Sequence, residues 1–153
     1  MATSTLIQFL GDTVTDPSGI GADTSHRRQT ETFIAGGTIA ALDWVAVDAS
    51  KTGADRLLYI TQAAAVADGN GQVIGVALNG GAAGEQIRVV TSGYVEGANV
   101  AAAVTAGQPL VVDNTSAGRA VAYAATDLAP PCGVALEAAG VGNTCDVLVY
   151  KLF

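Results

Sequence analysis

The side chains able to do chemistry are few and scattered along the chain. The single histidine, His26, sits in a polar stretch beside Arg27 and Arg28. Nucleophilic catalysis needs a base next to a Ser, Thr or Cys, so this stretch would have to fold back over the rest of the chain to serve. Cys132, Cys145 and His26 provide three soft metal ligands at most, without CxxC or HxxxH spacing, which does not make a zinc tetrahedron. Asp43, Asp48 and Asp113 fall near the ends of strand-like runs, where a pair of carboxylates could converge for acid–base work. Asp48 and Asp113, however, each stand just before a turn, Ala49 to Gly53 and Asn114 to Gly118, where an aspartate bonds its own backbone.

Other motifs are equally incomplete. Asp68-Gly69-Asn70-Gly71 lacks the later carboxylates and the Glu of a calcium loop and reads as a hairpin turn. Asn79-Gly80-Gly81-Ala82-Ala83-Gly84 leads into Glu85 and a strand pattern, whereas a phosphate cradle needs Gly-Lys-Ser/Thr opening a helix. Aromatic platforms for a sugar would have to come from Trp44, Tyr59, Tyr94, Tyr123 and Tyr150, and Trp44 lies beside Val45 and Val47 in the manner of a packed residue. The expectation is a protein with no catalytic residues, no cofactor and no metal.

The elements carrying these residues are short strands. Val73-Ile74-Gly75-Val76-Ala77-Leu78 and Gln86-Ile87-Arg88-Val89-Val90-Thr91 are rich in β-branched residues, with alternation. Turn signals separate such runs: Ala35-Gly36-Gly37, Lys51-Thr52-Gly53, Asn79-Gly80-Gly81, Ser92-Gly93, Asn114 to Gly118 and Pro130-Pro131. Frequent turns between short strands predict an all-β domain, an antiparallel barrel or sandwich. The Ala-rich pieces at 63–67 and 98–103 could each form a turn of helix but are too short to stand alone.

Composition agrees. Of 153 residues, 50% are hydrophobic and 14% charged, and Gly and Ala make up almost a third, so a thin-walled core of small side chains is expected without a metal or disulfide staple. The net charge of −7 repels a phosphate backbone, so no nucleic acid partner is expected. The uncharged stretch Gly97 to Val112, which no other exceeds in length, is interrupted by Asn99, Thr105, Gln108 and Pro109 and is no membrane span. The first residues carry neither a basic start nor an apolar h-region, which predicts synthesis in a cytoplasm.

An internal repeat organises the rest. Gly75-Val76-Ala77-Leu78 with Gly84, Ile87 and Val89 recurs as Gly133-Val134-Ala135-Leu136 with Gly142, Cys145 and Val147 at an offset of 58. Leu42 to Asp48 pairs with Gly107 to Asp113 at 65, and Arg56-Leu57-Leu58 with Arg119-Ala120-Val121 at 63. Residues of about 33–95 and 96–153 therefore read as two copies of one β unit, packed face to face into a single core. Cys132 and Cys145 take the places of Ile74 and Ile87, which predicts buried, inert thiols. Residues 1–32 have no counterpart and read as an extended N-terminal arm, with one apolar run, Leu6-Ile7-Gln8-Phe9-Leu10, too costly to leave in water uncovered.

Taken together, Gly75 to Leu78 with Gly84 to Val89, then Val104-Thr105-Ala106-Gly107-Gln108-Pro109-Leu110-Val111, Gly118-Arg119-Ala120-Val121 and Gly133 to Ala138, resemble the capsid decoration (cement) proteins of tailed bacteriophages, over about Phe33 to Phe153. The resemblance implies an all-β barrel or tulip-like domain that forms a homo-oligomer, a trimer, on the outer capsid surface of the virion and bridges neighbouring subunits of the major capsid protein. The arm is longer than the leaders of that family. Leu6, Ile7, Phe9, Arg27 and Arg28 are the residues expected to grip the capsid. The alternative is a receptor- or glycan-binding module such as the base of a head fibre.

Overall fold

The computed structural model describes residues 28–63, 72–127 and 129–150. It is all-β. The strands are β1 (Gln29–Ala35), β2 (Trp44–Val47), β3 (Tyr59–Gln62), β4 (Val73–Ala77), β5 (Gln86–Asn99), β6 (Pro109–Val112), β7 (Ala120–Ala122), β8 (Gly133–Ala135) and β9 (Thr144–Val149), with one 3-10 turn at Gly53–Leu57. β1 begins at Gln29, so the strand takes in 29–32 of the segment read as arm. Gln-Thr-Glu-Thr carries no apolar alternation, and all four side chains are exposed, which is why no strand signal was visible there.

The strands run in the order β1-β3-β2-β4-β5-β9-β8-β6-β7, and β1 also pairs with β5. The first five therefore close into a barrel, and closure leaves no free edge among them. All of its pairings are antiparallel except β1 with β3. The second copy repeats this arrangement. The far half of β5 takes the part of β1, and a parallel bridge from Val100 to Ala120 stands where Ala35 meets Ile60.

The equivalence extends to individual bonds. Phe33 opposite Ile87 recurs as Ala98 opposite Cys145, and Val45 opposite Gln62 recurs as Leu110 opposite Ala122. Ile39 bridged to Gly81 recurs as Val104 bridged to Ala139. These pairs set the offset at 65 for β1 and β2, 60 for β3, and 58 for β4 and the first half of β5. The β3 offset of 60 differs from the 63 expected from Arg56 and Arg119, because Ala120 is the equivalent of Ile60 in the strand and not of Leu57, which ends the 3-10 turn.

β5 is the element on which the two copies meet. Its first half pairs with β1 and β4, and its second half, from Gly93 to Asn99, pairs with β9. Ser92-Gly93, read as a turn, lies inside this strand. Gly93 has φ 107° and Gly97 has φ 73°, a region that glycine enters without the penalty a Cβ brings, and the register shifts between Val95 and Ala98. The glycines mark a bend and a bulge in a continuous strand.

Two apolar clusters fill the molecule, in place of the single face-to-face core expected. One is the interior of the first barrel: Ala35, Ile39, Val45, Ile60, Ala77, Ile87 and Val89. Their seven equivalents, Val100, Val104, Leu110, Ala120, Ala135, Cys145 and Val147, belong to the other cluster, which also takes in Trp44, Ala46, Ala63, Val76 and Val90 from the outer side of the first barrel. The second interior is lined by smaller groups at three places, Val104 for Ile39, Ala120 for Ile60 and Cys145 for Ile87, and Trp44 reaches into this cluster. The indole Cη2 stands 3.0 Å from where a Cβ on Gly133 would lie.

Close backbone approach gives a test. A Cβ on Gly75 would collide with the Val90 carbonyl oxygen across the β4–β5 pair, whereas one on Gly37 meets nothing within 4 Å. Gly75→Ala is expected to lower unfolding stability by about 1–3 kcal/mol, and Gly37→Ala to stay within about 0.5 kcal/mol, measured by urea denaturation.

Candidate functional site

The corner that leads into β2 joins the two barrels, and it gathers most of the buried polar chemistry. Asp43 is buried, its Oδ2 accepting from the Ala40 N–H at 2.9 Å and from Gln62 Nε2 at 2.6 Å, its Oδ1 from Asn99 Nδ2 at 2.9 Å. Asn99 lies at the end of β5, so this carboxylate ties the start of β2 to the strand shared by both copies. Around it, the Trp44 N–H donates to the Gly118 carbonyl, the Gly118 N–H to the Ala63 carbonyl, and the Asn99 N–H to the Leu42 carbonyl. Leu42 holds φ 69°, a conformation that costs a non-glycine residue about 1–2 kcal/mol. Its equivalent, Gly107, has φ 84° without that penalty.

Trp44 is fully buried, and its indole Nε1 has no hydrogen-bond partner among the described residues. An exposed sugar platform at this residue is therefore overturned: its ring is part of the core. Tyr59 lies under the Lys51 ammonium, 4.7 Å from its ring centroid. Tyr94 Oη donates to Asp146 Oδ2 at 2.6 Å, and this bond, with burial, raises its pKa to about 12. Asp146 Oδ1 also accepts from the Gly97 N–H at 3.0 Å, so one carboxylate fixes the bend of β5. Tyr150 is 39% exposed on β9's end.

The remaining candidates take up turn and core roles. Asp48 Oδ1 accepts from both the N–H and the hydroxyl of Ser50, at 3.0 and 2.6 Å. Asp113, its equivalent, accepts from the Thr115 hydroxyl at 2.8 Å. Cys132 and Cys145 are free and buried, and burial raises both thiol pKa values, that of Cys132 to about 12, so neither is a thiolate at neutral pH. Among the described residues no three His, Cys, Asp or Glu side chains gather as metal ligands would. No helix among them is long and apolar enough to cross a membrane.

Of the expected capsid-gripping residues, Leu6, Ile7, Phe9 and Arg27 lie outside the described residues, as do His26 and the turn at 68–71. Arg28 is described and stands half-buried immediately before β1. Several exposed apolar residues were not singled out from sequence. Leu57 and Leu58 are 71% and 51% exposed, Leu136 is 45% exposed and Leu148 37%. The signal that finds them is the repeat itself, once it is set in the register that the strands adopt.

No protein-family profile matches the chain, and no curated protein matches it. Among solved structures, the chain is similar to the N base of the head fibre protein gp8.5 of bacteriophage phi29, with a TM-score of 0.57 and 19% identity over 81% of this chain and 95% of that one. The likeness is one of fold: an all-β chain built on a closed five-stranded barrel.

Asp43 should matter more than its equivalent, because Gln108 caps only its own corner through the Thr105 N–H. Asp43→Ala strands three donors and is expected to cost about 2–4 kcal/mol, against about 1 kcal/mol for Gln108→Ala; thermal unfolding of the two variants measures the difference.

Acid should act through the turn carboxylates. The Ser50 hydroxyl bond, the largest effect, holds Asp48 below its ordinary pKa, whereas at Asp113 burial pulls upward and the hydrogen bonds from Ser116 and Thr115 outweigh it. A folded pKa below the unfolded value of about 3.9 stabilises the fold above that pH, and the contribution fades as pH falls through the folded value. Asp48→Asn/Asp113→Asn is thus expected to be less stable than the parent at pH 7, with the gap narrowing as pH falls below the unfolded carboxylate value of about 3.9. Urea midpoints across pH report it.

Proposed function

We propose that this chain is a structural protein of a bacteriophage virion, synthesised in the host cytoplasm and carried on the outer surface of the capsid. The observation that supports this reading is the fold shared with a phage head-fibre base over 81% of the chain. In its finer form the protein decorates the expanded shell, binding the major capsid protein as a homo-oligomer, a trimer, and bridging neighbouring subunits. Contacts to several subunits at once gain from their fixed spacing, and each contact opposes separation of the shell.

Nothing in this role calls for catalysis. The described carboxylates engaged in turns and at the barrel junction, and the buried, protonated thiols, suit a scaffold more than an enzyme. A net charge of −7 gives no pull on nucleic acid, and no membrane partner is invoked. Leu6, Ile7, Phe9, Arg27 and Arg28 remain the residues proposed to grip the capsid.

A second reading, the base of a head fibre that carries a receptor- or glycan-binding part, is favoured by what the phi29 protein is. The two differ in what binding does to the shell. Purified protein mixed with expanded, undecorated shells is expected to co-sediment with them and to raise their dissociation temperature. Binding that leaves shell stability unchanged favours the fibre base, and absence of binding overturns both. In the full chain, Leu6→Ser/Ile7→Ser/Phe9→Ser is expected to weaken co-sedimentation at least about tenfold.

A further inference from the structure

Among the described residues, the internal repeat leaves one apolar surface exposed on each barrel. On the first barrel, four apolar residues lie side by side across adjacent strands: Val90 opposite Val76, Val76 opposite Trp44, and Ala63 bonded through its N–H to the Trp44 carbonyl. All four are fully buried, packed in the cluster they share with the second barrel. The equivalent row on the second barrel is Leu148 opposite Val134, Val134 opposite Pro109, and Tyr123 bonded to the Pro109 carbonyl. Every member is again apolar or aromatic, yet Leu148 and Pro109 are exposed and Val134 and Tyr123 half-buried. Leu136, 45% exposed, extends the row where its equivalent, Leu78, packs against the core.

Within the chain, the row of the first barrel is met by the segment entering β7, through Gly118, which exchanges backbone bonds with Trp44 and Ala63. The equivalent of Gly118 on the first barrel is Leu58, and there Leu57 and Leu58 project into solvent. Among the described residues, each molecule thus carries an exposed row on the second barrel and, on the first, an exposed apolar corner in the place of the segment that covers such a row. The backbone chemistry has changed to match. Pro109 has no N–H to donate where Trp44 has one, and the Leu58 carbonyl already accepts from the Ile34 N–H at 2.8 Å. A contact between row and corner leaves neither group wanting.

We infer that the Leu148–Val134–Pro109–Tyr123 row binds the Leu57–Leu58 corner of a second copy, so that chains join head to tail in continuation of the contact between their own barrels. The inference rests on the homo-oligomer part of the proposed function. A heterologous contact of this kind closes into a ring where the rotation allows, and three copies would close a trimer.

Sedimentation velocity and cross-linking of the full chain test it. The parent is expected to run at a multiple of 15.2 kDa, and Leu58→Glu or Leu148→Glu alone to reduce it to a monomer that still unfolds cooperatively, at a melting temperature lowered only by the lost association. A short bis-maleimide is expected to link chains of Leu58→Cys/Leu148→Cys but not of Leu148→Cys, the native thiols being buried. Linking of Leu148→Cys to itself means that rows pack on each other, and overturns the inference. So do a monomeric parent, variants that stay assembled, or a double-cysteine chain that does not cross-link between copies. Shell co-sedimentation of the same parent sample reads the capsid role separately, so a monomer that binds shells sinks the head-to-tail contact alone.

Discussion

One strand belongs to two barrels, and most of the architecture follows from that. A backbone N–H or C=O taken out of water has to find a partner, and a short strand in a small domain finds one only if the sheet closes or is covered. β5 answers this twice, first against β1 and β4 and then against β9. Its two glycines with positive φ let a single extended segment leave one barrel and enter the next. The second copy consequently needs no first strand of its own: the far half of β5 supplies it.

Where the two copies differ, the difference serves the junction. The corner Leu42-Asp43-Trp44 is Gly107-Gln108-Pro109 in the other copy. Both corners keep the local cap, Asp43 to the Ala40 N–H and Gln108 to the Thr105 N–H. Only the first adds the bonds to Gln62 and Asn99, the strained Leu42, and the indole that occupies the neighbouring cluster. The cost of the left-handed leucine, about 1–2 kcal/mol, and of an indole N–H without a partner among the described residues, about 1–3 kcal/mol, is offset where apolar area and charge-assisted hydrogen bonds meet. The equivalent corner, at Gly107, carries neither cost.

The same economy explains why reactive side chains are put to structural use. Asp48 and Asp113 hold equivalent turns, Asp146 holds the bend of β5, and the two thiols fill space lined elsewhere by aliphatic side chains. Small residues allow backbones to approach closely, as at Gly75 beside Val90 and Gly133 beside Leu148.

The all-β class, the turn roles of Asp48 and Asp113 and the burial of both cysteines were legible in the residues themselves. Turn chemistry and equivalence within a repeat are local properties, written in a few neighbouring side chains. Whether Ser92-Gly93 ends a strand or bends it is not local, because glycine permits both and only pairing with β9 selects one. Leu57 and Leu58 carry an apolar signal that reads as strand, and their exposure follows from a 3-10 turn that shifts the register by three residues against the repeat. Nor could any pattern tell that one apolar row is buried and its twin exposed, since both rows are apolar or aromatic throughout. Sequence determined which surfaces this chain is able to bury, and tertiary structure decided which it does, because burial depends on what lies opposite a side chain and not on the side chain alone.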